Sequence, residues 1–422
     1  MYKFAHMSDI HLGAHRDQIL QELELTTFIK AMNKCVEHKV DFIIISGDLF
    51  HIGIPELSIV NKALRKMVEV KEKGIPIYVI YGSHDYTPTG TSIIDLLETA
   101  GIITNIVKWQ MKDKKLHLSF TTDKITGAKI TGILARKNGL ESKYYERLDK
   151  QNLEQTGGFK IFMFHSGITE FKPTYLTEME SIPISCFPKG FNYYAGGHIH
   201  EKGKFKLPGY KNVIFPGTLF TGYGRDIEAT VKGETRGFYL VSFDDAVKKI
   251  EFIELKSFDG KYFEFDANDK NSVQAFKDIQ EKLKTLDVTD KVVILKIRGE
   301  LSGGKTADIN FTELKSNLLE KGALHVYLNR YSLTSKDYSS IQVIGNDTST
   351  IERKMFNENI GTVKLSQKHL KGEAGSKLAT ELLEVLRQEV KVGESKREYL
   401  NKIQSNGRLV LKLNEIFEEE IN

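Results

Sequence analysis

Only two of the 422 residues are cysteine, Cys35 and Cys186. Two thiols this far apart can neither staple a small secreted fold nor build a thiolate zinc cluster. Both are expected to be small buried apolar side chains in a reducing compartment. Proline is scarce too, at 8 residues, and an apolar share of 40% is ordinary, which excludes a low-complexity disordered chain. No apolar run approaches the roughly 20 residues that a membrane span needs. The start, "MYKFAHMSD", enters a strand with no charged-then-apolar leader. An excess of one charge is also missing, since 60 Lys+Arg against 56 Asp+Glu leaves +4. That balance permits a nucleic-acid partner without pointing to one. The expectation is a soluble, cytoplasmic protein of two or three domains.

What is present is a regular alternation. "YKFAHMSD" reads as a strand and "LQELELTTFIKAMNKCVEHK" as an amphipathic helix. "VDFIIISGD" is a continuous apolar run, as in a strand buried on both faces. The helix "PELSIVNKALRKMVEVKEKG" and the strand "IPIYVIYG" complete a βαβαβ pattern, which predicts a parallel sheet. Shorter strands follow in "KLHLSFTT", "AKITGIL", "FKIFMFH", "FNYYAGG", "NVIFPG" and "RGFYLVSF", predicting a second, partly antiparallel sheet. The fold class is α/β (α+β): a two-sheet sandwich with flanking helices over residues 1–256. A second βαβαβ run makes a small α/β domain over 257–345. Residues 346–372 are polar and aperiodic and read as a linker. The tail, 373–422, is helical, with Leu378, Leu382, Val385 and Leu386 on one face and Leu409, Leu413 and Ile416 on another. Short helices like these bury too little to fold alone, so the tail is expected to dock on a partner.

Chemistry-bearing residues cluster at the predicted strand ends. Asp9 and His11 in "SDIHLG" stand two apart, so in extended chain both face one side. His198 and His200 in "GGHIHEKG" repeat that spacing. Asp48 closes one buried strand and His165 another. In open α/β sheets the carboxyl edge is where ligands bind. Four imidazoles and two carboxylates suit a pair of manganese, iron or zinc ions, whereas calcium or magnesium would take more oxygen. Taken singly, each motif is as well explained by a turn or a core histidine. Their recurrence at successive strand ends is what predicts a dinuclear site. His6, His15, His38, His117, His325 and His369 lack such partners and are not expected as ligands.

One motif is set aside. "GELSGGKT", Gly299 to Thr306, matches the phosphate-cradling pattern. However, Asn310 with Glu313 predicts a helix start some residues after Lys305, whereas a phosphate loop runs directly into its helix. A surface loop is the expected structure.

The series "DIHLG", "GDLFH", "GSHD", "FHSG" and "GGHIH" resembles the calcineurin-type metallophosphoesterases, and within them the SbcD-type DNA repair nucleases, the Mre-eleven group. The resemblance covers nearly the whole chain. It implies a DNA nuclease with two Mn2+ ions, 3′-to-5′ exonuclease and single-strand endonuclease activity, and a homodimer formed through helices near Ile59–Val70 and Ile93–Leu97. It further implies a capping domain that contacts DNA, a C-terminal region that binds an SbcC-like (Rad-fifty) ATPase, and a nucleoid-associated location. Carried over by motif, Asp9, His11 and His200 hold one ion and Asp48 bridges both. His165 and His198 hold the second with the residue at position 83. His84 is catalytic, Asp85 orients its ring, and His51 is a further catalytic-site histidine. Position 83 is usually asparagine in that family and here is Ser83, which predicts a weakened second ion. The alternatives left open are a small-molecule phosphodiesterase and a catalytically weakened scaffold that bridges DNA ends.

Overall fold

In the computed structural model, β1 (Tyr2–Met7), α1 (Gln18–Glu37), β2 (Phe42–Ser46), α2 (Leu57–Glu72) and β3 (Ile77–Ile80) follow one another as the apolar patterning predicts. The structure describes residues 1–87, 90–136, 141–173, 176, 179–336, 352, 356, 370, 372–391, 394 and 396–411. Asp17 starts α1 by accepting the Leu20 N–H at 3.2 Å, and Leu20, Phe28, Ala31, Met32 and Cys35 form its buried face. All of β2 is buried, between β1 and β3 and parallel to both. Ser92 caps α3 (Ile93–Thr99), which leads to the edge strand β4 (Thr104–Asn105).

A hairpin of β5 (Lys108–Lys112) and β6 (Lys115–Ser119) comes next, then β7 (Thr121–Thr122) and β8 (Lys129–Ile133). The predicted single strand over 115–122 is therefore two strands, because β6 pairs with β5 whereas β7 pairs with β8. Short helices α4 (Ser142–Glu146) and α5 (Lys150–Gln155) precede β9 (Lys160–His165). The two-residue strands β10 (Gly167–Ile168) and β11 (Ser181–Ile182) pair with each other ahead of β12 (Tyr193–Gly197), β13 (Gly203–Leu207) and β14 (Tyr210–Phe215). The second sheet runs β13-β14-β12-β9-β8-β7, parallel at its centre and antiparallel at both edges.

After α6 (Gly224–Val231), β15 (Gly237–Phe243) and β16 (Val247–Glu254) extend the first sheet, giving β16-β15-β1-β2-β3-β4. This corrects the sequence reading, which grouped "RGFYLVSF" with the second sheet. β15 pairs antiparallel with β1, and both of its faces are buried. Val241 and Phe243 join Phe4, Phe42 and Ile44 in the core between the sheets, facing Ile161, Met163 and Tyr193. Phe238 and Leu240 face the helix-covered side with Phe28 and Met67.

In the four-stranded small sheet β17 (Asp259–Asp266), β18 (Lys291–Leu301) and β19 (His325–Asn329) run parallel, with α7 (Ser272–Lys284) and α8 (Phe311–Glu320) as crossovers. β18 continues beyond Gly299 to Leu301, and α8 begins only at Phe311, where Asn310 accepts the Glu313 N–H at 3.1 Å. A three-residue turn, Thr306–Asp308, follows Lys305. No long helix starts beside that lysine, so "GELSGGKT" does not form a phosphate loop.

The chain forms two compact units, one of residues 1–268, 273–299 and 307–333, the other of 269–272, 300–306 and the described residues from 334 onward. In the second, helices Gly372–Leu386 and Lys396–Val410 are joined by the Tyr399 hydroxyl, which donates to Gln388 O at 2.9 Å. Most of the expected linker, together with His369, Leu413 and Ile416, lies outside the described residues.

A polar bridge crosses the core between the two large sheets. The Ser46 hydroxyl donates to Ala195 O at 3.0 Å, so it accepts from His6 Nε2, also at 3.0 Å. His6 Nδ1 then accepts the Tyr193 hydroxyl at 3.0 Å. This fixes the neutral tautomer, and burial pushes the His6 pKa down to about 3. The unfolded chain protonates this imidazole near its ordinary 6.5. The stabilisation is therefore complete above pH 6.5 and is lost as pH falls towards 3. Between about pH 6 and about pH 5 the folded state should lose ~1.4 kcal/mol on account of this group. In urea titrations of wild type and His6→Gln, the stability gap should move by that amount in favour of the variant as pH falls. A gap independent of pH would show that His6 is not held neutral.

Candidate metal centre

Every carboxylate and imidazole singled out above lies at or just past the C-terminal end of a strand, and the two large sheets bring those ends together. Asp9 and His11 follow β1, Asp48 and His51 follow β2, and Ser83, His84 and Asp85 follow β3. His165 closes β9, and His198 and His200 follow β12. Asp9, His11, Asp48 and His198 have left-handed backbone, at φ 48°, 52°, 53° and 84°. That region costs a side-chain-bearing residue roughly 1–2 kcal/mol, and such concentrations are typical of functional loops.

The loops hold one another in place. The Asp9 N–H donates to Gly47 O at 3.1 Å and the His11 N–H to Asp48 O at 2.9 Å. The buried Asp9 carboxylate accepts the His198 N–H at 3.0 and 3.1 Å. Asp85 is fully buried and accepts from the N–H groups of Gly82 (2.8 Å), Asp48 (3.0 Å) and Phe50 (3.4 Å). It was expected to orient the His84 ring. Instead it ties the loop after β3 to the loop after β2, because three amides converge on its carboxylate. Close approach explains two glycines: a Cβ on Gly47 would lie 2.3 Å from His165 Nδ1, and one on Gly82 would lie 2.0 Å from Asp48 Oδ1.

The donor atoms converge. Asp9, His11 and His200 offer ligand atoms within 4.8 Å of one another, as do Asp9, Asp48 and His165, and also His11, His51 and His84. His198 stands outside these groups, its ring centroid 5.3 Å from that of His165. Ser83 Oγ is 3.5 Å from Asp48 Oδ2. Of these side chains Asp48, Ser83, His84, His198 and His200 line a cavity of ≈ 400 Å³, together with Tyr223.

Whether a cation fits can be read from hydrogen bonding. His165 Nδ1–H donates to Ser46 O at 2.8 Å, which aims Nε2 at Asp48 Oδ2, 3.2 Å away. That Nε2 is buried and makes no hydrogen bond among the described residues. Burial disfavours the His165 imidazolium, but Asp48 and Asp9 outweigh burial and hold its pKa above the ordinary value. Burial likewise disfavours the Asp48 carboxylate, yet His165 and His11 hold its pKa low. The cluster thus calls for positive charge between Nε2 and the carboxylates. On the other side, His200 Nδ1–H donates to Asp226 Oδ2 at 2.8 Å. This leaves His200 Nε2 facing His11 Nε2 at 3.2 Å, with Asp9 Oδ1 3.9 Å from each. Imidazole nitrogen with carboxylate oxygen is a donor set for manganese, iron or zinc.

Two residues escaped the sequence reading. Asp226 orients His200 and also accepts the N–H groups of Gly222 and Tyr223, each at 2.9 Å. The Tyr223 hydroxyl lies 2.9 Å from His84 Nε2. Asp226 stands three residues after the α6 N-cap, a spacing visible in "GYGRDIE" but indistinguishable there from an ordinary helix start. Three of the histidines not expected as ligands have other partners: His15 bonds Thr221, His117 lies 3.1 Å from Asp149 and His325 lies 3.1 Å from Asp17.

Comparison with known proteins agrees with this geometry. Residues 2–202 match the calcineurin-like phosphoesterase family. The chain is 31% identical over 300 residues to the DNA double-strand break repair protein Mre11 of Methanococcus maripaludis, covering 69% of this chain and 76% of that relative. It is 26% identical over 366 residues to the protein of the same name from Sulfurisphaera tokodaii, covering 86% and 89%.

Because Asp226 fixes the His200 tautomer, Asp226→Asn should weaken divalent-ion binding by about 10- to 100-fold, the usual effect of losing an outer carboxylate partner. Calorimetric titration with manganese measures this. Unchanged affinity would mean that His200 Nε2 is not a ligand.

Proposed function

The chain belongs to the Mre11 family of calcineurin-like phosphoesterases, and from that premise we propose that it is a manganese-dependent nuclease that processes DNA double-strand breaks. The proposed activities are 3′-to-5′ exonuclease and single-strand endonuclease cleavage. The observation that carries this reading is the buried His165 Nε2, which has no hydrogen bond among the described residues and faces Asp9 and Asp48, the latter lining an open cavity.

In this proposal Asp9, His11 and His200 would hold one Mn2+, His165, His198 and Ser83 would hold the second, and Asp48 would serve both. When bound, the ions supply Lewis-acid charge for the phosphodiester and for the attacking water. The protein's own groups do the rest. His84 lies against His11 and His51, with ring centroids 4.9 and 4.8 Å away, and it lines the cavity. It stabilises or protonates the leaving oxygen. His51 supports it through its carbonyl, which accepts His84 Nδ1–H at 2.6 Å. Asp85 keeps the two loops in register.

Ser83 departs from the family's asparagine. Its hydroxyl ends one bond nearer the backbone than an asparagine carbonyl would, and metal–oxygen distances of roughly 2.0–2.2 Å leave little slack. One tight and one weakened ion follow, with cleavage that needs high manganese. This residue also favours the second reading, a weakened scaffold that bridges DNA ends.

Residues 257–345 are proposed to cap the nuclease domain of residues 1–256 and contact DNA. A linker over 346–372 then leads to an SbcC-like ATPase-binding region over 373–422. Exposed Leu57 and Leu96 support a homodimer through the helices near Ile59–Val70 and Ile93–Leu97. Among the described residues no helix is long and apolar enough to cross a membrane, which is compatible with work at the nucleoid.

Purified protein should cut duplex ends and single strands with manganese, and far faster than it cuts a cyclic nucleotide. His84→Ala should abolish cleavage and retain metal, and loss of the ions in that variant would contradict the division of roles. Ser83→Asn should tighten the second ion and raise the rate at low manganese. If dependence and rate stay as they were, serine is a competent ligand. Truncation after Gly372 should spare cleavage and remove ATPase binding, an outcome that co-purification at full affinity would overturn.

A further inference from the structure

The His84 ring is held from both sides, and only one of the two partners belongs to the metal-site loops. Its Nδ1 lies 2.6 Å from His51 O. A carbonyl can only accept, so Nδ1 carries the proton and Nε2 of the neutral ring is an acceptor. The group opposite Nε2 is the Tyr223 hydroxyl at 2.9 Å, which therefore donates. Tyr223 reaches there from the N-cap of α6, on a segment far from His84 in sequence. Its ring lies parallel to that of His200, with centroids 5.3 Å apart and planes 13° apart. It is also 5.8 Å from the His51 ring centroid and 6.0 Å from that of His11.

The residue that aims Tyr223 is secured independently. The Tyr223 N–H donates to the buried Asp226 carboxylate. One turn on, Glu228 accepts from Asn329 Nδ2 at 2.8 Å and Lys296 Nζ at 3.2 Å, both on the small sheet. Gly224 fits against Tyr327, since a Cβ there would overlap its hydroxyl at 1.9 Å. With the N-terminal half of α6 held in this way, the Tyr223 hydroxyl is aimed at His84.

We propose that Tyr223 is a positioning residue that holds His84 through a hydrogen bond to Nε2, keeping the ring turned over the ligand cluster before substrate binds. This rests on the nuclease reading for its kinetic consequence and on the geometry alone for its structural one. Without the hydroxyl, His84 keeps only its bond to His51 O, and rotation about its side-chain bonds is no longer opposed from the cavity side. Misplacing a catalytic group by about 1 Å can cost on the order of 100-fold in rate.

Tyr223→Phe tests it, because the variant keeps the ring against His200 and removes only the hydroxyl. The first readout needs no activity: the 15N resonances of His84 in the full-length chain, recorded with and without the substitution. The expected result is a shifted Nε2 resonance and a less uniform tautomer, with His6 unchanged as the internal control. The second readout is steady-state cleavage of a duplex end in manganese. kcat should fall by about 10- to 100-fold, with KM and manganese affinity unchanged. An unshifted His84 resonance in Tyr223→Phe overturns the proposal. So does a loss that appears in KM or in manganese affinity rather than in kcat. If the wild type cuts no DNA, the nuclease reading falls while the resonance still decides the hydrogen bond.

Discussion

The structure depends on how two buried carboxylates are neutralised. Asp9 and Asp48 sit at the ends of adjacent parallel strands, almost without solvent. Burying charge without a partner is expensive, and the partners present are imidazoles, chiefly His165 and His11 for Asp48 and His165 and His200 for Asp9. Histidine at the end of a strand answers this by fixing one nitrogen on a neighbour and offering the other. His165 uses Ser46 O and His200 uses Asp226 for that purpose. Both sheets contribute to the arrangement, so neither sheet alone contains the site.

The core between the sheets is therefore part of the site's construction. Phe4, Phe42, Met163 and Tyr193 set the distance at which β2 and β9 end side by side. Directly beneath the ligands, His6, Ser46 and Tyr193 form a hydrogen-bonded crossing that fixes the register of one sheet on the other. The Ser46 carbonyl that receives His165 belongs to the same residue. Packing and chemistry meet there, and a shift of β2 against β9 would move Asp48 from His165.

Much of this was legible in the chain. "DFIIISGD" and "KIFMFH" are apolar runs that stop at a ligand-type residue, so a strand period and a strand end could be read together, and with them Asp48 and His165. The parallel order of β1, β2 and β3 followed from the alternation with helices. The placement of β15 did not follow, because a strand buried on both faces reads the same in either sheet and only its pairing with β1 decides. Asp226 and Tyr223 were missed for a related reason. Their partners, His200 and His84, are brought to them by folding, and the local pattern of "GYGRDIE" speaks only of a helix start. Asp85 was legible as a site residue, but its three amide partners could not be assigned without the turn geometry. Ser83 is the converse case, evident in sequence and placed by the structure 3.5 Å from Asp48 Oδ2.

The account stands or falls on where cations settle. Crystals of the protein soaked in manganese, with diffraction recorded at the manganese absorption edge, locate them without reference to activity. The account predicts two anomalous peaks that share the Asp48 carboxylate, the stronger beside Asp9, His11 and His200 and the weaker beside His165, His198 and Ser83. Peaks elsewhere, or none at Asp48, would contradict it.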